Sequence, residues 1–176
     1  MSWLEDMDVQ IDCYERHNRY LIPFGCVSTH IEDGTEISDG MKGFMTMNHL
    51  NPSTFAGNGL DVRRAIQKNW RANAESLGYD LSDLNDDQLT DDYHYLIFPN
   101  ITLNIHATSL MLFRQRPHPS DPNKMFYDLQ NYTMVPKGEA APTRPLHKHF
   151  KHGDESLGEV LDQDSSNLPM VQRGMN

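Results

Sequence analysis

An α+β fold built on an antiparallel sheet is predicted by three features of the sequence. Residues 95–134 contain three runs in which apolar and polar residues alternate, joined by short polar turns, which is the pattern of an antiparallel meander. Residues 61–77 instead repeat their apolar positions with the helical period. The chain has 176 residues, 38% of them hydrophobic with a further 11 Gly, a length that suits one domain and enough apolar material for a real core.

Taken in order, Met7, Val9, Ile11 and Cys13 alternate with Asp8, Gln10, Asp12 and Tyr14, the period of a first strand. Glu15–Arg19 turns the chain and Tyr20–Ser28 returns as a second strand, with Pro23 and Gly25 marking an edge or bulge. Residues 29–59 carry Asp33-Gly34, Asp39-Gly40, Asn51-Pro52 and Gly57-Asn58-Gly59, so a long loop is expected there, with a short helical turn at Met41–Met47. Asp61 opens a helix in which Val62, Ile66 and Trp70 recur every four residues beside Ala65, Ala74 and Leu77. Arg63, Arg64, Lys68 and Arg71 take its wet face, and Gly78 stops it at C′. Acidic Ser82–Asp92 reads as a short helix or capped loop.

The strongest strand signal follows. Tyr95–Phe98 runs into Pro99-Asn100, after which Ile101, Leu103 and Ile105 alternate with Thr102, Asn104 and His106. Leu110–Arg116 and Lys124–Met134 flank the turn Pro117–Asn123. Residues 135–153 are Pro-rich and basic, hence an irregular excursion. From Leu157 the chain becomes apolar again and runs to Asn176 as the first turns of a helix, and no internal repeat is found.

Charge and cysteine content narrow the function classes. With 15 Lys and Arg against 25 Asp and Glu the net charge is −10, which argues against nucleic acid, where phosphate neutralisation dominates affinity. No run approaches 18 apolar residues, and Met1–Gln10 has no basic segment leading into an apolar one, so neither a membrane span nor a signal peptide is expected. Cys13 and Cys26 are expected to be free thiols packed in a reducing cytoplasm, with a disulfide as the alternative. No C-x-x-C is present, so a zinc ribbon or a cysteine-ligated cluster on this chain is excluded.

Candidate chemistry is sparse. There is no phosphate-binding loop, no G-x-S-x-G and no Ser/His/Asp spacing. His147, His149 and His152 are close enough in sequence to suggest a metal, yet Lys148 and Lys151 among them favour a solvated basic loop. His94 reads as a hydrogen-bonded histidine at the start of a strand, and His106 shares a strand face with Asn104 and Thr102 that is either wet or lines a polar pocket. Asp86-Asp87 and Asp91-Asp92 read as solvated faces. Asp162 and Asp164 stand at the start of the last helix, where acids serve as caps or as metal ligands.

The phrase from Leu161 to Gly174, Leu-Asp-Gln-Asp-Ser-Ser-Asn-Leu-Pro-Met-Val-Gln-Arg-Gly, resembles the C-terminal signature of Rieske-type ring-hydroxylating oxygenase α subunits. In that family an acid is followed eight positions on by Gln or Glu, in a phrase ending Gln-Arg-Gly, and Asp164 with Gln172 fits that register. The segments Asp91–Asn104 and Leu112–Pro117 resemble the family too, and the likeness runs from about Trp3 to Asn176. It implies a helix-grip (START/Bet v 1-like) domain, a curved antiparallel sheet closed over a C-terminal helix with a cavity between. It also implies O₂ activation at a mononuclear Fe(II) held by two His and one carboxylate. Electrons would come from NAD(P)H, through a reductase or ferredoxin and then a [2Fe–2S] centre bound by two Cys and two His. Asp164 matches the carboxylate ligand, and Asp162 is the register alternative.

Two family motifs are missing: the C-x-H and C-x-x-H pair of the Rieske centre, and the D-x-x-H-x-x-x-x-H helix that supplies both histidines. Asp91-Asp92-Tyr93-His94 mimics only part of the latter. Residues 1–176 are therefore expected to be part of a catalytic domain, cut before its final helix is complete, with neither the two His ligands nor the Rieske domain on this chain. The parent would be cytoplasmic, a homotrimer or α3β3, and would hydroxylate an aromatic or other apolar ring. The alternative is a non-enzymatic helix-grip protein binding an apolar small molecule. A weaker one is an independent metal protein using His147, His149 and His152.

Overall fold

The structure is a computed structural model and describes residues 9–24 and 37–175. Strands β1 (Gln10–Cys13) and β2 (His17–Ile22) come first, then helices α1 (Asp39–Met47) and α2 (Gly59–Asn73). Strands β3 (Asp92–Ile97), β4 (Ile101–His106), β5 (Ser109–Pro117) and β6 (Met125–Thr133) follow, and α3 (Glu159–Met175) ends the described chain. The six strands form one antiparallel sheet in sequence order, β1 to β6. This is the predicted α+β class, and an open antiparallel sheet with a C-terminal helix supplies the elements of a helix-grip fold. The chain divides into two compact units, Met1–Pro117 with Met125–Ala140, and His118–Lys124 with Ala141–Asn176.

In the first unit the core is helical. Met45 of α1, Val62, Ile66 and Trp70 of α2, and Ala74, Leu81 and Leu89 beyond it are buried together. Burying side chains of this size is worth about 1.5–3 kcal/mol each for the larger ones. The period-four face of α2 is thus the one the sequence predicts, but Arg63 is not on a wet face: its side chain is half-buried and paired with Asp91. Helix α2 also begins two residues before Asp61. Asn58 accepts from the Asp61 amide and the Asp61 carboxylate accepts from the Asn58 amide, both at 3.1 Å, a reciprocal capping box. Gly57 just upstream is required, because at φ +152° a Cβ there would lie 2.8 Å from the Asp61 Cβ.

Three further expectations are corrected. The Met41–Met47 turn is part of a full nine-residue helix, because Ser38 caps α1 by accepting from the Met41 amide at 3.2 Å. Gly78 is not the C′ residue of α2, which ends at Asn73; at φ +84° it lets the chain pass close to Lys137, whose amide donates to the Gly78 carbonyl at 2.7 Å. Cys13 is a free thiol but exposed on the short edge strand β1, not packed. The Tyr20–Ser28 strand begins earlier, at His17, and ends at Ile22; Met7, Gly25, Cys26 and the return as far as Ser28 lie outside the described residues. The β4–β6 meander, including its turns, stands where the alternation predicts it.

In the second unit, residues 141–150 have no regular structure and all but Phe150 are exposed, as a solvated basic loop should be. Pro169 lies inside α3. Lacking an amide hydrogen, it leaves the Ser165 carbonyl without its helical donor. The His152 ring supplies one, with Nε2 at 3.1 Å from that oxygen.

Candidate functional site

Strand register sets the first group of polar side chains. His94 of β3 lies opposite Asn104 of β4, and alternation places Asp92 and His94 on the face shared by Thr102, Asn104 and His106. Thr102 and Asn104 are buried, so this face is not wet. His94 donates from Nδ1 to Asn104 Oδ1 at 2.6 Å, the hydrogen-bonded histidine that the sequence suggests, and Tyr20 stands edge-on to its ring. Asp92 is not solvated: its Oδ1 is buried and, among the described residues, has no hydrogen-bond partner. The same holds for His106 Nδ1. Burial raises the Asp92 pKa above the ordinary carboxylate value, opposed by the nearby His106 and His94 rings and by the Ile105 amide.

The acid next to it does structural work. Asp91 is buried on the other side of β3, where Arg63 binds both of its oxygens, one through Nη1 and the other through Nη2 at 3.2 Å. Arg63 also donates to the Phe24 carbonyl at 3.0 Å and to Asp87 at 2.6 Å, and Asp91 accepts from the Phe24 amide at 3.1 Å. The pair Asp91-Asp92 is therefore a buried acid and a half-buried one with separate roles, and the solvated-face reading fails because Arg63 binds Asp91 and the Asp92 Oδ1 lies out of solvent. Asp86 and Asp87 are largely exposed but bind Arg71 and Arg63.

The second group lies on α3. Asp162 accepts from Ser156 Oγ at 2.5 Å and from the Leu157 amide at 2.8 Å, which ties the loop before the helix to its first turn. Those bonds hold the Asp162 carboxyl below its ordinary pKa. Asp164 is exposed and makes no hydrogen bond or ion pair among the described residues. Leu168, Val171 and Met175 follow it at helical spacing on the same face and are 46%, 58% and 76% exposed. Gln172, which shares its register with Asp164, donates to Asn123 at 2.9 Å.

The predicted metal candidates are not assembled. Among the described residues no group of three His, Cys, Asp or Glu side chains stands close enough to hold a metal ion. This removes His147, His149 and His152 as a set, His152 being engaged on α3. Asp92, His94 and His106 are two imidazoles and a carboxylate by type, but they do not converge. The Arg63 clamp and the burial of Asp92 Oδ1 and His106 Nδ1 on one sheet face were missed from sequence. The alternation of Asp92 and His94 with Asn104 and His106 across one short turn is the signal that points to the second.

A family model described as ring hydroxylating alpha subunit (catalytic domain) matches residues 32–176, most of the chain. No curated protein and no solved structure matches.

Proposed function

Since the chain belongs to the ring-hydroxylating α-subunit catalytic-domain family, we propose that it forms part of a non-haem iron oxygenase acting on an aromatic or other apolar ring. Its co-substrate would be O₂, with electrons relayed from NAD(P)H by a reductase or ferredoxin through a Rieske [2Fe–2S] centre. The observation that carries the assignment of a ligand is the contrast between the two acids of α3. Asp162 is committed to Ser156 and Leu157, whereas Asp164 is exposed and uncommitted at the head of an apolar stripe. A free carboxylate beside Leu168, Val171 and Met175 suits a ligand that must sit close to an apolar ring.

Iron fits these residues only in part. Asp164 is one anionic oxygen donor of the kind Fe(II) accepts, but no three-ligand group stands among the described residues. The two histidines and the [2Fe–2S] ligands are proposed to come from residues beyond this sequence, so residues 1–176 alone should not turn over. An Fe(II) held by two His and one carboxylate would supply open positions for O₂. The role of this chain is then to present the Asp164 carboxylate on a rigid helix and to hold that helix in place through Asp162. A cytoplasmic homotrimer or α3β3 assembly that does not bind nucleic acid completes the proposal.

The test is a polypeptide extended to carry the C-x-H, C-x-x-H and D-x-x-H-x-x-x-x-H motifs. Asp164→Asn should abolish turnover and mononuclear iron binding while the [2Fe–2S] spectrum is retained. Asp162→Asn should keep the iron and loosen only the start of α3. Turnover that survives Asp164→Asn would refute the ligand assignment, and iron lost only in Asp162→Asn would transfer it to Asp162.

A further inference from the structure

The loop before α3 folds back onto the first turns of that helix and holds it at two points. Ser156 Oγ and the Leu157 amide bind the Asp162 carboxylate, and His152 donates from Nε2 to the Ser165 carbonyl at 3.1 Å. That carbonyl is the one Pro169 leaves without a helical donor, and the proline ring also crowds it, turning the oxygen outward. His152 is itself held in place. The Asp154 amide donates to the Lys151 carbonyl at 3.1 Å, and the Asp154 carboxylate accepts from the Lys151 amide at 3.1 Å, closing a turn around it. Lys148 and Glu155 pair across the same loop at 2.6 Å.

We propose that His152 is a positioning residue for Asp164: it supplies the hydrogen bond that Pro169 withholds, and so fixes the backbone that carries the carboxylate. The inference rests on the reading of Asp164 as the iron ligand. The two anchors, at Asp162 and Ser165, bracket Asp164 in the chain and stand about 4.5 Å apart along the helix axis. Around the axis they are about 60° apart, whereas Asp164 is about 160° from the first and about 100° from the second. The loop thus grips one side of α3 and leaves Asp164 on another, where it is exposed. A carboxylate that must meet two histidines from elsewhere needs a backbone set in advance, because ligand geometry tolerates little play.

Hydroxyls in the same turns serve other carbonyls: Ser165 Oγ donates to that of Asp162 at 3.1 Å and Ser166 Oγ to that of Gln163 at 2.7 Å. The His152 bond needs only a hydrogen on Nε2, which a neutral tautomer and the imidazolium both carry, so it does not depend on titration. Substitutions separate the parts. His152→Gln keeps an N–H donor near the place of Nε2, and His152→Ala removes it. Pro169→Ala returns an amide hydrogen to the Ser165 carbonyl and makes His152 redundant. His147, exposed in the same loop, is the control.

The experiment is amide hydrogen exchange of residues 163–168 in the 176-residue chain, with the Ser165 carbonyl carbon followed by NMR. His152→Ala should lower protection about three- to tenfold, the net worth of one hydrogen bond, and shift the carbonyl resonance. His152→Gln and His147→Ala should leave both close to wild type. In a Pro169→Ala background His152→Ala should change neither. In the extended polypeptide, mononuclear iron affinity should fall by a similar factor in His152→Ala, with the [2Fe–2S] spectrum unchanged. It should recover in His152→Gln and in His152→Ala combined with Pro169→Ala. Protection indifferent to His152→Ala, a loss that persists with Pro169→Ala, or one that Gln does not rescue overturns the proposal, as does iron affinity that ignores His152→Ala. Iron retained by Asp164→Asn would sink the ligand assignment and the positioning role with it, yet leave the exchange result on His152 and Pro169 standing. The carbonyl shift decides the coupling where exchange is too fast to read.

Discussion

Trp70 shows how a single side chain organises the core of the first unit. Its ring is fully buried, and its indole N–H donates to Asn48 Oδ1 at 2.7 Å. The Asn48 side-chain amide in turn donates to the Phe44 carbonyl at 2.8 Å, and its backbone carbonyl accepts from Asn69 at 3.0 Å, so one residue joins the end of α1 to α2. Asn48→Ala leaves the indole donor buried and unpaired, and should lower stability by about 1–3 kcal/mol in urea unfolding. Asn48→Asp, which keeps an acceptor, should lose less when the unfolding is measured near pH 4. Trp70 was legible in the sequence because it falls on the period-four face of α2. Asn48 was not, because a turn residue gives no sign of a partner twenty-two positions away. Asp92 was hidden for another reason: in a chain with 25 acidic residues, one acid with a buried oxygen looks like the many that are solvated.

Among the elements, α2 and β3 are joined by one side chain. Arg63 binds Asp91, Asp87 and the Phe24 carbonyl, so it ties the helix to the start of β3 and to the residues just after β2. Asp91 is buried and Arg63 half-buried, with 9% and 14% of their side chains exposed. Breaking such a pair from one side costs about 3–5 kcal/mol, because the remaining charge stays buried. Arg63→Met should therefore lower the unfolding midpoint strongly, and Arg63→Met with Asp91→Leu should recover much of the loss. Helical periodicity alone put Arg63 in water beside Arg64, since period reports a face and not its neighbours. The β4–β6 strands were legible because short turns force their pairing. The pairing of β2 with β3 was not, because nothing local specifies a partner across α1 and α2. On α3 the acid pair was legible by resemblance, while the division of labour between Asp162 and Asp164 needed the Ser156 and Leu157 contacts.

For the whole molecule, titration acts in two opposite directions. Asp39, Asp80, Asp121, Asp128 and Asp162 are all held below the ordinary carboxylate pKa, chiefly by hydrogen bonds from Lys42, Ser82, Lys124, Arg116 and Ser156 respectively. A depressed folded pKa contributes stability that is present above the unfolded value of about 3.9 and is lost as pH falls through the folded one. Asp92 is raised, so its contribution is complete below about pH 3.9 and is lost as pH rises through its folded value. Thermal unfolding followed from pH 3 to pH 8 should show Tm falling steeply below about pH 4. Asp92→Asn should raise Tm near pH 8 and change it little near pH 4. A larger gain at pH 4 than at pH 8 would reverse the assigned sign.

The order of the sheet also dictates an order of assembly. Strands β3 to β6 meet through turns of a few residues, and β1 meets β2 the same way, but β2 reaches β3 only after residues 23–91 have been traversed. Closing a loop of that length carries an entropic penalty of about 4 kcal/mol, growing only slowly with length. The four-stranded meander can therefore form early and by itself, whereas the β1–β2 ribbon must wait for α2 and for Arg63 to bring Phe24 to Asp91. The seam between β2 and β3 is thus the last part of the sheet to close during folding, and the first that thermal motion can unzip.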